Sequence, residues 1–147
     1  MNSPKNFIFW KNWMLVVNMI TILIGILIAI AGNSFIFEPH NQGTRELFFE
    51  GNSMPKEMLY LKNWLFGIIG ATLAGFHLLI VFITQFAFAK KEKWARNAIA
   101  SALVLWFVVD SSISIYYGAY FNLYWINFPS ITLLFLPLLF TWCHFKN

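Results

Sequence analysis

The chain has 147 residues, of which 59% are hydrophobic and 20% aromatic but only 11% charged. That is too little polar side chain to clothe a soluble domain, and several apolar runs reach the roughly 18 residues that mark membrane spans. The net charge of +4 lies in short flanks between these runs rather than in a stripe among exposed aromatics, so it points to the positive-inside rule and not to nucleic acid. A single cysteine, Cys143, excludes an intramolecular disulfide, a CxxC redox pair and a cysteine-built zinc site.

Lys5 and Lys11 precede the first apolar run, 13–32. A charged flank followed by an apolar run resembles a signal peptide, and Ala29-Ile30-Ala31 has the small-x-small form of a cleavage site. The run is longer than the ~7–15 residues of a signal-peptide core, and we read it as a retained span. Asn18 and Thr21 share one side of this helix and are expected to pack inward.

Residues 33–63 form the one sizeable loop. Glu38-Pro39 is expected to close the first helical region, Asn41-Gln42-Gly43 to turn, and Thr44 to cap a short helix over TRELFFE lying on the membrane surface. Gly51-Asn52-Ser53 breaks it, and Pro55 suits the first turn of the next helix. Glu38, His40, Glu46 and Glu50 carry possible metal-binding atoms, but without ligand spacing no metal is assigned. No cofactor motif is present either.

The second span is read at 64–89. Gly67, Ala71 and Gly75 recur every four residues with Gly70 and Ala74 beside them, a small-xxx-small pattern that lets another helix approach closely. His77 lies at the edge of that face near mid-span, where a lone histidine is usually a hydrogen-bonded packing residue. Lys90, Lys91, Lys93 and Arg96 bound this span sharply. The third span, 94–118, holds Asp110, the one formally charged residue within a long apolar run. An Asp at the centre of a membrane helix costs ~2.5–3.5 kcal/mol on insertion scales, and such residues face a bundle interior or a wet cavity with a partner. Helical spacing lines Trp106, Ser114 and Tyr117 up with it as possible donors. Residues 119–125 read as a tight aromatic connection before the fourth span, 125–145, in which Pro137 should kink the helix and free a carbonyl one turn earlier.

Lys5, Lys11, Lys90, Lys91, Lys93, Arg96 and Lys146 fall on one side of the four spans, and Arg45, Lys56 and Lys62 on the other. Both termini are therefore expected in the cytoplasm with 33–63 outside. Trp10, Trp13, Trp64, Trp94, Trp125 and Trp142 fall at span ends as an aromatic belt, and Trp106 alone lies at depth.

Over Trp64–Asn122 the chain resembles a family of small bacterial four-helix membrane proteins with no assigned activity. The resemblance rests on Trp64, Gly67, Gly70 and Gly75, on KKEKWA at 90–95, and on Trp106-Phe107, Asp110, Ser114, Gly118 and Asn122. It implies a cytoplasmic-membrane location and no particular chemistry. The reading is an all-α, four-span integral membrane protein, a single membrane domain in the lipid bilayer, homo-oligomeric or part of a larger membrane complex. The leading function is non-enzymatic: a partly polar site around Asp110 that binds a lipid-like molecule or a partner membrane protein. A small proton-coupled transporter subunit using Asp110 is the alternative, and a membrane-embedded enzyme the second alternative.

Overall fold

The computed structural model describes residues 4–145, and among them the only regular structure is helix, with no strand. Five helices follow in order: α1 (Pro4–Ala31), α2 (Glu38–Phe49), α3 (Lys56–Phe86), α4 (Lys93–Tyr116) and α5 (Tyr120–His144). All but α2 are long and apolar enough to cross a membrane. At 1.5 Å rise the 31 residues of α3 extend about 46 Å, beyond the ~30 Å of a hydrocarbon core. Its first turns therefore project past such a core or the helix tilts.

The helices pack in the order α3, α1, α5, α4, with α1 and α3 sharing the most extensive contact and α3 touching α4 little. Small residues make the α1–α3 contact possible. A methyl group on Gly70 would stand 2.3 Å from the Gly25 carbonyl oxygen and 2.7 Å from the Ala29 nitrogen. One on Gly25 would meet Gly70 and Ala74 backbone at 2.8–2.9 Å. Of the expected packing face on α3, Gly70 and Ala74 therefore touch α1. Gly67 and Gly75 face open space within 4 Å, and Ala71 is exposed.

The apolar part of the core gathers toward the end that carries the chain termini. Phe7, Phe88 and Phe145 stack there at 4.7–6.0 Å, with Met14, Ile99, Leu103 and Leu138 buried along the bundle. Lys91 lies 5.1 Å from the Phe7 ring and Arg96 3.9 Å from the Trp142 ring, so these cations sit on aromatic faces at that end. Most large apolar side chains instead point outward, as on a surface a bilayer would cover. Four hydroxyls on the long helices satisfy themselves locally: Thr21 donates to Val17 O, Ser112 to Val108 O, Thr132 to Phe128 O and Thr141 to Pro137 O.

Three expectations for the connections are corrected. The Asn41–Gly43 stretch is not a turn but the middle of α2, which begins at Glu38 with Pro39 in its first turn. Proline is favourable there because its fixed φ suits the helix and its missing N–H had no partner anyway. Thr44 consequently does not cap. Its Oγ1 donates to His40 O at 3.0 Å inside the helix. Glu50 (φ 52°) and Gly51 (φ 79°) end α2 in the left-handed region. The connection into the fourth long helix is shorter than expected, because Gly118 at φ 71° reverses the chain and α5 starts at Tyr120. Ala119 N–H closes that turn onto Ser114 O at 2.8 Å.

Two prolines shape α5. Pro129 follows a π turn at Leu123–Asn127, and Pro137 lies buried in the interior. The carbonyl that Pro137 leaves without its helical donor is Leu133 O. It accepts instead from the indole N–H of Trp13 at 3.1 Å, so the break in α5 becomes a tie to α1.

Candidate functional site

Asp110 lies six residues before the last residue of α4, at Tyr116, about 9 Å from the helix end that faces α2. Its position on the helix puts Ser111 and Ser114 beside it, and α5 supplies the partners. Asn122 Nδ2 donates to Asp110 Oδ2 at 3.1 Å and to Ser114 Oγ at 2.8 Å, with Asn127 Oδ1 a further 3.4 Å away. Asn127 Nδ2 in turn donates to Ser111 Oγ at 3.0 Å. The π turn between the two asparagines makes this possible. In a π turn, residues five apart come to lie over one another, as they do not in an α-helix. Ser114 and Asn127 are buried while Asp110 is half-buried. Among the described residues the second carboxylate oxygen, Oδ1, has no hydrogen bond and is not sealed from the surface.

The site therefore combines a carboxylate with one oxygen anchored and one available, backed by a chain of neutral amides and hydroxyls. It can accept a hydrogen bond from a ligand's amine or hydroxyl, pair with a cation or carry a proton. It contains neither a nucleophile activated by an adjacent base nor a second acid.

α2 covers this end of the bundle. His40 stands between Phe121 of α5, 5.1 Å away and edge-on, and Phe66 of α3 at 6.0 Å. Gly43 is where α2 lies on the Phe121 ring: a methyl group there would stand 2.6–3.0 Å from its carbons. Burial pushes the His40 imidazole below the usual histidine range, and the Lys62 charge adds to this, while the Asp110 carboxylate pulls the other way. Asp110 thus acts electrostatically on α2 as well as on α5.

A second polar knot fixes α2 to α1 and α3. Lys62 Nζ donates to Asn33 Oδ1 and Asn41 Oδ1, both at 2.7 Å, and Asn41 Nδ2 donates to Gly32 O at 3.0 Å. Asn33 also donates to Asn63 Oδ1. Arg45 pairs with Glu38 within α2.

The other residues singled out in the sequence fall differently. Ser114 joins Asp110 through Asn122. Trp106 is half-buried without a hydrogen bond to Asp110, and Tyr117 is 58% exposed. Tyr117 occupies the C-cap of α4 (φ −90°, ψ 0°), where ideal helical spacing no longer holds. His77 is only 3% exposed. Its Nδ1 lies 2.6 Å from Asn18 Oδ1, while Asn18 Nδ2 donates to Met14 O. It ties α3 to α1 and is not part of the Asp110 network. Asn127 and Ser111 were not singled out. The available signal was Asn-x₄-Asn followed by Phe128-Pro129, because a proline in the next turn removes the α-helical donor that would otherwise oppose a π turn.

Comparison of the chain with protein-family models, with curated proteins and with solved structures finds no match.

Proposed function

We propose that this is a multi-pass protein of the cytoplasmic (inner) membrane, with both termini in the cytoplasm and α2 on the outer face. It is non-enzymatic and uses the site around Asp110 to hold the polar group of a lipid-like molecule or of a partner membrane protein. The observation that carries this is the half-buried Asp110 carboxylate, with Oδ2 held by Asn122 and Oδ1 unbonded. A carboxylate retained at such a depth against its insertion cost normally serves a partner. The Lys and Arg distribution supports the orientation.

The test is retention of a ligand by the full chain purified in mild detergent, read by mass spectrometry of what co-purifies. The wild type should retain an amine- or hydroxyl-bearing amphiphile or a membrane protein, and Asp110→Asn should fold and retain markedly less. Equal retention by both of every co-purifying species, or none by the wild type, refutes the proposal. A second reading, a proton-coupled transporter subunit, is favoured by the same half-buried carboxylate, whose unbonded Oδ1 leaves it free to carry a proton. It requires flux driven by a pH gradient in vesicles that Asp110→Asn abolishes.

A further inference from the structure

At the end of the bundle that carries α2, a cavity of about 200 Å³ opens between the last turns of α1 and the first turns of α3. Ile28, Ala29 and Phe66 give it an apolar floor, and Asn33, Ser34 and Asn63 a polar rim. The Ser34 hydroxyl is buried there with no hydrogen-bond partner. An unpaired buried hydroxyl is costly, so the rim lacks an acceptor. Lys62 does not itself line the cavity, but its ammonium lies 4.9 Å from the centre of the Phe66 ring and bonds Asn33, and both of those residues do line it. Its charge is solvated by two neutral asparagine oxygens and feels the Glu38 carboxylate only from beyond ion-pair distance, Glu38 being paired with Arg45. An ammonium has three donors, so one remains after those two bonds. Beside the cavity, Phe35 is 86% exposed and Ile36 54% exposed, and Trp64 at the head of α3 is 62% exposed. Exposed aromatics at the end of a span belong at the headgroup level of a bilayer.

We propose that this cavity seats the phosphate and ester neck of a phospholipid, with an acyl chain running down over Ile28 and Phe66. Each part of the molecule meets its complement. The hydroxyl of Ser34 and the third N–H of Lys62 donate to phosphate or ester oxygens, and the apolar floor takes the first methylenes. A free phosphate ion would use the donors but waste the floor. A neutral diacylglycerol would use the floor and leave Lys62 without an anion. The site stands on its own observations, separate from those at Asp110.

The full chain is delipidated in detergent and titrated with phosphatidylglycerol, with bound lipid counted by native mass spectrometry. The wild type should bind a first phosphatidylglycerol in preference to diacylglycerol, and soluble glycerol 3-phosphate should not displace it. Lys62→Gln should weaken that binding about tenfold and Ser34→Ala several-fold, as expected for loss of a charge-assisted and of a neutral hydrogen bond. Because Lys62 also holds Asn33 and Asn41, Lys62→Gln risks misfolding. Ser34→Ala does not carry that risk, since it removes a hydroxyl that bonds nothing in the lipid-free protein, and its melting temperature should match the wild type. Asp110→Asn should bind phosphatidylglycerol as the wild type does. Wild-type affinity in Ser34→Ala, equal binding of diacylglycerol, displacement by glycerol 3-phosphate, or loss of binding in Asp110→Asn alone would each overturn the assignment. The last of these would move the lipid to the Asp110 site.

Discussion

Adding one methyl group to Gly70 should loosen α1 from α3. The new Cβ of Gly70→Ala would sit 2.3 Å from the Gly25 carbonyl oxygen, 2.7 Å from the Ala29 nitrogen and 3.0 Å from the Ala29 Cβ. The two nearest obstacles are backbone, so no rotamer change relieves them and the helices must separate. Overpacking of this kind costs ~1–3 kcal/mol, and the upper part of that range applies where backbone has to move. Alanine recovers ~1 kcal/mol of helix propensity over glycine, leaving a net loss of about 2 kcal/mol. The same substitution at Gly67 or Gly75 meets nothing within 4 Å and should keep the propensity gain, raising stability by up to ~1 kcal/mol. Unfolding in mixed detergent–SDS titrations, followed by circular dichroism, measures all three variants. If Gly70→Ala unfolds like the wild type while Gly67→Ala is destabilised, the assignment of faces on α3 is wrong.

Asn122→Ala strips the anchor from Asp110 Oδ2 and Ser114 Oγ and should cost ~1–3 kcal/mol in the same titration, with Asn122→Asp failing to rescue because it offers no N–H₂. Trp13→Phe leaves Leu133 O without its donor and should lower stability by ~0.5–1.5 kcal/mol, whereas Trp10→Phe, which keeps the stack on Phe140, should cost less. Since the docked His40 is held below the ordinary histidine value of about 6.5, detached α2 binds a proton that docked α2 does not. Docking should therefore be strongest above that pH and weaken as pH falls through it toward the lower docked value. The anisotropy of a dye on Asn52→Cys in a Cys143→Ser background should fall on acidification, and His40→Phe should flatten the response. A rise on acidification would reverse the sign of the argument.

The long helices were legible because their signal is length and apolarity, which depend on no neighbour. Their ends were less so. The first helix continues to Pro4 through Lys5 and Lys11, since a helix does not stop where hydropathy does. Asn41-Gln42-Gly43 has turn composition, yet Gly43 serves a close approach to Phe121 and Asn41 a bond to Gly32 O. Both are tertiary contacts that local propensity does not register. At Asp110 the sequence placed Ser114 beside the carboxylate, because the two share one face of a regular helix. The remaining partners come from α5 through a π turn, and an ideal 3.6-residue period does not place them. The same period places Tyr117 on the stripe, just where α4 ends. On α3, small residues marked a packing helix, but which of two adjacent rows meets α1 depends on the rotation of the helix, fixed here by Gly25 and Ala29.

In the proposed orientation, the Asp110 site lies within a four-span bundle and opens toward the outer face beneath α2. Single cysteines at Asp110, Asn52 and Lys93, each in a Cys143→Ser background, can be challenged in intact cells with a small membrane-impermeant methanethiosulfonate. Asn52 and Lys93 are exposed and lie at opposite ends of the long helices, so they report the two faces. Asn52→Cys should react at once, Asp110→Cys slowly but from the outside, and Lys93→Cys only after lysis. Reaction of Asp110→Cys only after lysis, in step with Lys93→Cys, would contradict the account.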